Sequence, residues 1–490
     1  MMQNKAKFNW NLDDLAHQAM VLRGFEADFT QEVLDQLNAL NEPVPMSAGP
    51  TAKDLRDKLW FSIDNDDSKD LDQLTFAEVI AGGITRIYVS IADVTTLVTR
   101  DCPIDKHAAK NTTSVYTPTL VFPMLPPKLS TNLTSLNENQ ERLSIVVEID
   151  VTQKGAIQRY EVYQAYVRNK AKLAYDSVGN WLETEKDAPP AVEQNKDLAD
   201  LIILHDQITT KLKAYRESKG MLSLKTIEVR SIIQNHDVID LVVVQKNRAR
   251  DIIENFMIAA NSCVTKFLHA KNFPAFRRVV KEPKKWPRIV VLAQEKGAKL
   301  PPVPDAVALE HFLLDQQKKD PETFPDLSLA IVKLLGRGEY VIDMPDEPST
   351  GHFGLALRHY SHATAPNRRY PDLITQRLIK AVLNGQPNPY AFNELVDLAA
   401  YCTEKEGDSD KVTRQMQKSA AAILLSSKIG TEYDAIVTGD NERGTWVRTI
   451  NPPVDGKLVK GGAGLDIGDR LSVKLVAVDV PNGYIDFSKI

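Results

Sequence analysis

At 490 residues the chain is too long for one ordinary core and has room for about three domains, while 26% charged and 43% hydrophobic residues exclude disorder as its main state. A net charge of −5 excludes a surface coated in cations for indiscriminate nucleic-acid binding, so any such role falls to local charge. Cys102, Cys263 and Cys402 are few, odd in number and far apart, which excludes a disulfide framework, a disulfide-linked partner and a CxxC metal site and points to a reducing cytoplasm.

The opening MMQNKAKFNWNLDD lacks an apolar signal region, and no uninterrupted apolar run of about 18 residues follows, so neither standard export nor a membrane span is expected. Residues 12–23 and 31–40 read as short amphipathic helices with Asn11 and Thr30 as N-caps, and Gly24 closes the first. The Pro-rich NEPVPMSAGPT that follows reads as a linker. Residues 1–50 are therefore expected to form a small helical accessory unit, either of helix-turn-helix type or simple support.

Residues 51–425 mix strand and helix patterns without an internal repeat, as an α+β domain does; strands are expected at 87–92 and 143–151, helices at 251–267 and 372–383. Near the front of this stretch, IDNDDSKDLDQ packs Asp64, Asp66, Asp67, Asp70 and Asp72 together with Lys69 as the one cation among them. A hard divalent cation with oxygen ligands is the usual neutraliser of such a cluster. The run is not a calcium loop, because that loop needs Gly at its sixth position and Glu at its twelfth, where Lys69 and Thr75 stand. A solvated acidic turn is the other reading. Against it, Trp60, Phe61 and Ile63 precede the acids and Leu71 and Leu74 thread through them, as in a segment held in place. Asp70 and Asp72, two apart, would point the same way from extended chain.

From 266 to 288 eight cations accompany one acid, with Phe267, Phe273, Phe276 and Trp286 interleaved. Cations for phosphates and aromatic faces for bases suit single-stranded nucleic acid, Arg277 and Arg278 among them; a solvated basic face over core aromatics is the alternative. Further on, HYSHATAPNRRYPDL (359–373) is stiffened by Pro366 and Pro371, which leads into a helix closed by Gly385. Arg368 and Arg369 thus approach a helix N-terminus, a place that favours anions, and their planar guanidinium groups match phosphate oxygens. The last stretch, 428–490, turns to short β-rich runs such as YDAIVTG, GTWVRTI and GYIDF broken by glycines, the pattern of a small closed barrel of OB type.

Four blocks in order, IDNDDSKDLDQL, TSVYTPTLVFPMLPPKLSTNLTSLN, ENFMIAANSC and GHFGLALRHYSHATAPNRRYPDL, make the chain resemble the ribonuclease II/R (RNB) family of exoribonucleases. The resemblance covers roughly residues 54–425 and implies an RNB catalytic domain with a C-terminal OB fold. Residues 1–50 are too few for the family's usual pair of cold-shock domains. Carried over by position, the resemblance implies Mg²⁺, with Mn²⁺ as a substitute, held by Asp64, Asp70 and Asp72, with Asp72 catalytic; Gln73 stands where the family has a fourth acid and is expected to offer the metal its amide oxygen without a charge, with Asp66 or Asp67 as the alternative. Arg368 matches the residue that steadies the scissile phosphate and Tyr116 the one that stacks on the terminal base. Arg369, Glu254 and His362 are expected RNA contacts. The family's second stacking aromatic has no counterpart in 221–250, and Thr413 replaces a usual Glu.

The expected activity is 3′-to-5′ hydrolysis of single-stranded RNA to nucleoside 5′-monophosphates by a cytoplasmic monomer. The alternatives are an RNA-binding protein that keeps the fold but has lost hydrolysis, and a metal phosphohydrolase acting on small nucleotides.

Overall fold

The computed structural model describes residues 10–43, 51–234, 237–345, 350–441, 444–465 and 467–490; residues 44–50 of the expected linker lie outside them. The fold is α+β, as the sequence predicts. It begins with α1 (Leu12–Leu22) and α2 (Gln31–Ala39), each started by its expected cap: Asn11 Oδ1 accepts from the Asp13 amide at 2.9 Å, and Thr30 Oγ1 from that of Val33 at 3.5 Å. Both pack on the larger body, α1 along the late helix α12 (Phe392–Leu425) and α2 along α3 (Pro103–Asn111).

The central sheet is built from β1 (Lys53–Asp54), β2 (Trp60–Asp64), β3 (Gln73–Ile80), β4 (Ile84–Ala92), β7 (Glu141–Val151) and β8 (Ile157–Ala174), in the order β1-β8-β2-β3-β4-β7. Between β4 and β7 come α3 and a small hairpin, β5 (Val115–Tyr116) and β6 (Val121–Phe122). Strand β8 is long enough to serve two partners. Its first part runs antiparallel to β7, and its end runs parallel to β2, pairing Ala174 with Asp64. The sheet therefore rolls and closes on itself.

After β8 come α4 (Tyr175–Thr184), α5 (Pro190–Glu193), α6 (Lys196–Glu217), the hairpin β9 (Glu228–Gln234) and β10 (Asp237–Val244), and α7 (Arg248–Ala270). Helix α7 is the spine of the core. Phe256, Ala260, Cys263 and Val264 on it are fully buried, against Trp60, Phe61 and Ile63 of the sheet and Leu373, Ile374 and Leu378 of α11 (Tyr370–Leu383). As expected, α11 has Pro371 in its first turn and Gly385, with φ at 62°, just past its end.

Between these, β11 (Ala275–Val279) pairs with β12 (Glu339–Asp343), and α8 (Trp286–Glu295), α9 (Ala306–Lys319) and α10 (Phe324–Leu335) share a separate small core around Trp286, Ile289, Leu313 and Ile331. The chain ends in the expected closed five-strand barrel: β13 (Glu432–Asn441), β14 (Gly444–Thr449), β15 (Asp455–Lys460), β16 (Arg470–Asp479) and β17 (Tyr484–Lys489), ordered β13-β14-β15-β17-β16. Val437, Val447, Leu475 and Phe487 fill it, and Ala422 and Leu425 at the end of α12 complete its core. Arg448 reaches out of the barrel to Asp326 of α10 at 3.6 Å. At Gly483 (φ 65°) the β16–β17 turn comes so close to α12 that a Cβ would sit 3.0 Å from the Gln415 carbonyl. Among the described residues no helix is long and apolar enough to cross a membrane.

Candidate active site

The acidic run occupies the turn from β2 to β3, and that turn is pinned at both ends. Leu71 and Leu74 are buried at 1% and 0% exposure, so the acids are threaded through anchors as the sequence predicts. Ser135 Oγ accepts from the Leu71 amide and donates to the Lys69 carbonyl, both at 2.9 Å. Lys172 near the end of β8 donates to the carbonyls of Ser68 (2.7 Å) and Asp66 (3.3 Å). Asp66 and Asp67 lie exposed on the outside of this turn, and Gln73 is buried at the head of β3, paired with Ile91.

Asp72 is the most enclosed of the acids. Its Oδ1 accepts from the Asn367 amide at 2.9 Å, and its Oδ2 lies 3.4 Å from Arg368 Nε. Asp64 Oδ2 is buried with no hydrogen-bond partner. Tyr116, on the β5–β6 hairpin, donates its hydroxyl to Asp70 Oδ2 at 3.4 Å and keeps its ring exposed. Burial pushes the Asp72 carboxyl up to about 7 and that of Asp64 up to about 6; the negative charge of Asp70 adds to both shifts and Arg368 opposes them. Left to themselves, these groups take up protons near neutrality, which is the signature of a site short of positive charge.

The Arg segment is clamped just as firmly, but through its backbone. The Arg368 carbonyl accepts from the Ser114 amide (3.0 Å) and Thr113 Oγ1 (3.2 Å), and Thr134 donates to the Asn367 side chain at 2.5 Å. This leaves the Arg368 side chain 44% exposed beside Asp72. Arg369 turns inward instead and donates to Asp372 Oδ1 at 2.8 Å, while Asp372 also caps the Ala365 amide. His362 is held between the rings of Tyr340 and Tyr360, its Nδ1 2.9 Å from the Tyr340 hydroxyl, and burial keeps it neutral. Glu254 is exposed on α7.

The basic segment 266–288 does not form the expected strand-binding face. Phe276 and Trp286 are core residues at 0% and 2% exposure, and Phe267 and Phe273 are only partly exposed against the main core. Arg277 is 1% exposed, and its guanidinium is used up on Asp343 and the carbonyls of Thr350 and Arg358. Arg278 pairs with Glu406 at 2.7 Å and lies over the Tyr340 ring. A buried guanidinium whose two terminal nitrogens are both engaged, with only Nε left unpartnered inside the core, braces the fold and offers nothing to a phosphate. That corrects the reading of Arg277 as an RNA contact.

Two neighbours carry no sequence signal. Tyr175 opens α4 directly after Ala174, which pairs with Asp64, and its hydroxyl is pushed up to about 12 by burial and by the charge of Asp64. Arg250 stacks on the Tyr175 ring at 4.5 Å and donates to Asn65 at 3.2 Å. Tyr175 reaches the site through the parallel pairing of β8 with β2 and Arg250 through the packing of α7 on α4, which no local spacing reveals.

Among the described residues no three His, Cys, Asp or Glu side chains form a ready-made metal cage. The donor set nevertheless fits Mg²⁺, which is held by one or two carboxylates and completes its shell from phosphate and water. The buried, unpartnered oxygens of Asp64 and Asp72 are what such an ion would use.

The sequence profile of the RNB domain matches residues 52–385, and that of the RNase II-type exonuclease C-terminal S1 domain matches residues 431–490; the chain belongs to the RNB family. Among its relatives are Ribonuclease R of Escherichia coli, 30% identical over 94% of this chain and 60% of that protein, and Ribonuclease R 1 of Lactococcus lactis, 28% identical over 94% and 59%. The chain thus spans about three fifths of these relatives. In fold it is similar to Mycoplasma genitalium RNase R in complex with ribose methylated single-stranded RNA, with a TM-score of 0.87 at 24% identity over 98% of this chain and 78% of that one.

Proposed function

We propose that the protein is a 3′-to-5′ exoribonuclease that degrades single-stranded RNA to nucleoside 5′-monophosphates with Mg²⁺, and that Mn²⁺ can substitute. The observation that carries this reading is the pairing of buried, under-neutralised Asp72 and Asp64 with an exposed Arg368. Carboxylates for a metal and a solvent-facing guanidinium for a phosphate meet in one place. Family membership and the names of the relatives support the choice of RNA and of exonuclease direction.

In this reading residues 51–425 are the catalytic unit and 428–490 grip the strand upstream. Tyr116 stacks on the terminal base, Glu254 contacts the RNA, and Arg368 binds the oxygens of the last phosphodiester and balances charge as it grows there. Asp72 orients a water whose oxygen bonds to phosphorus while the 3′-oxygen of the penultimate nucleotide leaves with a proton. Asp64, Asp70 and Asp72 would hold Mg²⁺, which when bound would supply Lewis acidity at the phosphate.

One observation favours a second reading, an RNA-binding protein with weak hydrolysis: Gln73 contributes no charge where the family has an acid. Incubating 5′-labelled RNA with Mg²⁺ separates them. Stepwise shortening by the natural protein, lost in Asp72→Asn, supports the enzyme; tight binding without shortening in both sinks it.

A further inference from the structure

We propose that the N-terminal segment 12–29 is a positioning element that holds Tyr116 over the catalytic site, an inference that rests on the base-stacking role given to Tyr116 above. The hairpin carrying Tyr116 has strands of only two residues each, and an isolated hairpin is marginal in water. Something else must fix its aim. Its side chains alternate: Tyr116 and Val121 face out at 43% and 52% exposure, Val115 and Phe122 face in at 1% and 7%. The inward pair is buried in one cluster with Leu12, Ala16, Ala19 and Met20 of α1 and Val412, Met416 and Ala420 of α12. The His17 ring lies 6.5 Å from that of Phe122. Helix α1 is thus one wall of the socket in which the hairpin sits.

The wall is itself latched. Lys405 of α12, only 6% exposed, donates to the carbonyls of Arg23 (2.8 Å) and Gly24 (3.1 Å), closing the C-terminus of α1 with a cation, and Arg23 donates to Gln415 at 2.8 Å. Past that turn, Glu26 and Asn111 exchange two hydrogen bonds: the Glu26 amide to Asn111 Oδ1 (2.9 Å) and Asn111 Nδ2 to the Glu26 carbonyl (2.8 Å). Phe29 packs on the His107 ring at 4.6 Å. Asn111 ends α3, and the next residues run directly to the Arg368 backbone and to Tyr116: the Thr112 carbonyl accepts from the Tyr370 amide at 2.8 Å. One short segment therefore braces the approach to Tyr116 from two sides, while the acids of the β2–β3 turn hang from different supports, Ser135 and Lys172.

The test uses the full chain in EDTA, so that no RNA is cut, with a short RNA whose 3′-terminal base is 2-aminopurine, a fluorophore quenched by stacking. Met20→Ala opens space behind the hairpin, and Lys405→Met unlatches α1 without a cavity. Each should reduce the quench and weaken RNA binding by about fivefold, and neither should have a further effect when combined with Tyr116→Ala, because coupled residues are non-additive. A fold defect alone cannot give that pattern. Equal losses with and without Tyr116, or an undiminished quench in folded variants, overturn the inference while the enzyme reading stands. A natural protein with no Tyr116-dependent quench overturns both the base-stacking role and this inference. Should Met20→Ala fail to fold, Lys405→Met decides.

Discussion

The chain has two dense runs of like charge, the acids of 64–72 and the cations of 266–288, and they meet opposite fates in the fold. The Asp64 carboxylate is buried with an oxygen that has no partner, and Asp72 has only a distant guanidinium against its Oδ2. The Arg277 guanidinium is buried more completely still, but among partners that consume it, and the aromatics around it are ordinary core. Charge density therefore does not mark the site. Buried carboxylates without a full counter-charge, drawn together beside an exposed guanidinium, do, because perturbed charges of this kind cluster where a ligand completes them.

The comparison is sharpest at Asp72. Asp72→Asn should cut hydrolysis at least about a hundredfold, the scale of a lost catalytic proton-handling group. It should also stabilise the metal-free protein. The Asp72 pKa rises on folding from 3.8 to about 7, so below pH 4 the group costs nothing, and as pH climbs through this window the unfolded chain ionises first and stability falls. By pH 7 that amounts to about 4 kcal/mol at most, and the amide removes it. Denaturant titration of both proteins in EDTA measures this; an Asn variant that is less stable but fully active would break the comparison.

Arg277→Ala should do the reverse, costing about 3–5 kcal/mol by leaving Asp343 buried with only His269 Nε2, 3.8 Å away, beside it. RNA affinity of the folded fraction should be unchanged, as measured by anisotropy; a large loss of affinity would return this segment to the binding surface.

His205 asks whether the rule extends beyond carboxylates. It is fully buried between Phe61 and Phe256, with Nδ1 on the Leu201 carbonyl at 2.7 Å and Nε2 without a partner. Burial pulls its pKa down to about 4, so it stays neutral and needs no counter-charge. Stability is whole above pH 6.5 and is lost as pH falls towards 4, by about 3 kcal/mol. This slope is opposite in sign to that of Asp72, and His205→Phe should remove it while leaving activity at pH 7.5 unaltered. The smallest effect belongs to Gln73→Asp, which should lower the Mg²⁺ concentration for half-maximal rate by a few-fold, roughly 1 kcal/mol; no shift would mean the three acids already suffice.

Much of this was legible in the residues. Caps, Pro371 and Gly385 marked helix ends, continuous apolar runs marked β4 and β7, and alternation with glycines marked the barrel. The long α12 was not marked, for a physical reason. Its inward positions recur every three or four residues, but several are filled by Lys405, Ser409 and Ser419, so an apolar count misses the stripe. In the site, the acids and Arg368 stood out by type and company. Asn367, Tyr175 and Arg250 did not, since a backbone amide donor and a stack on a neighbouring ring depend on which strand lies beside which.

The double service of β8 has a consequence for life among other chains. By pairing with β7 and β2 together it closes the sheet, and the short strand β1 at its margin is two exposed charged residues, Lys53 and Asp54, the latter neutralised by Arg56 at 2.6 Å. An unpaired strand from a nascent or damaged protein finds no template there. Protection of that margin and the placing of Asp64 beside Tyr175 thus come from the same rolled closure.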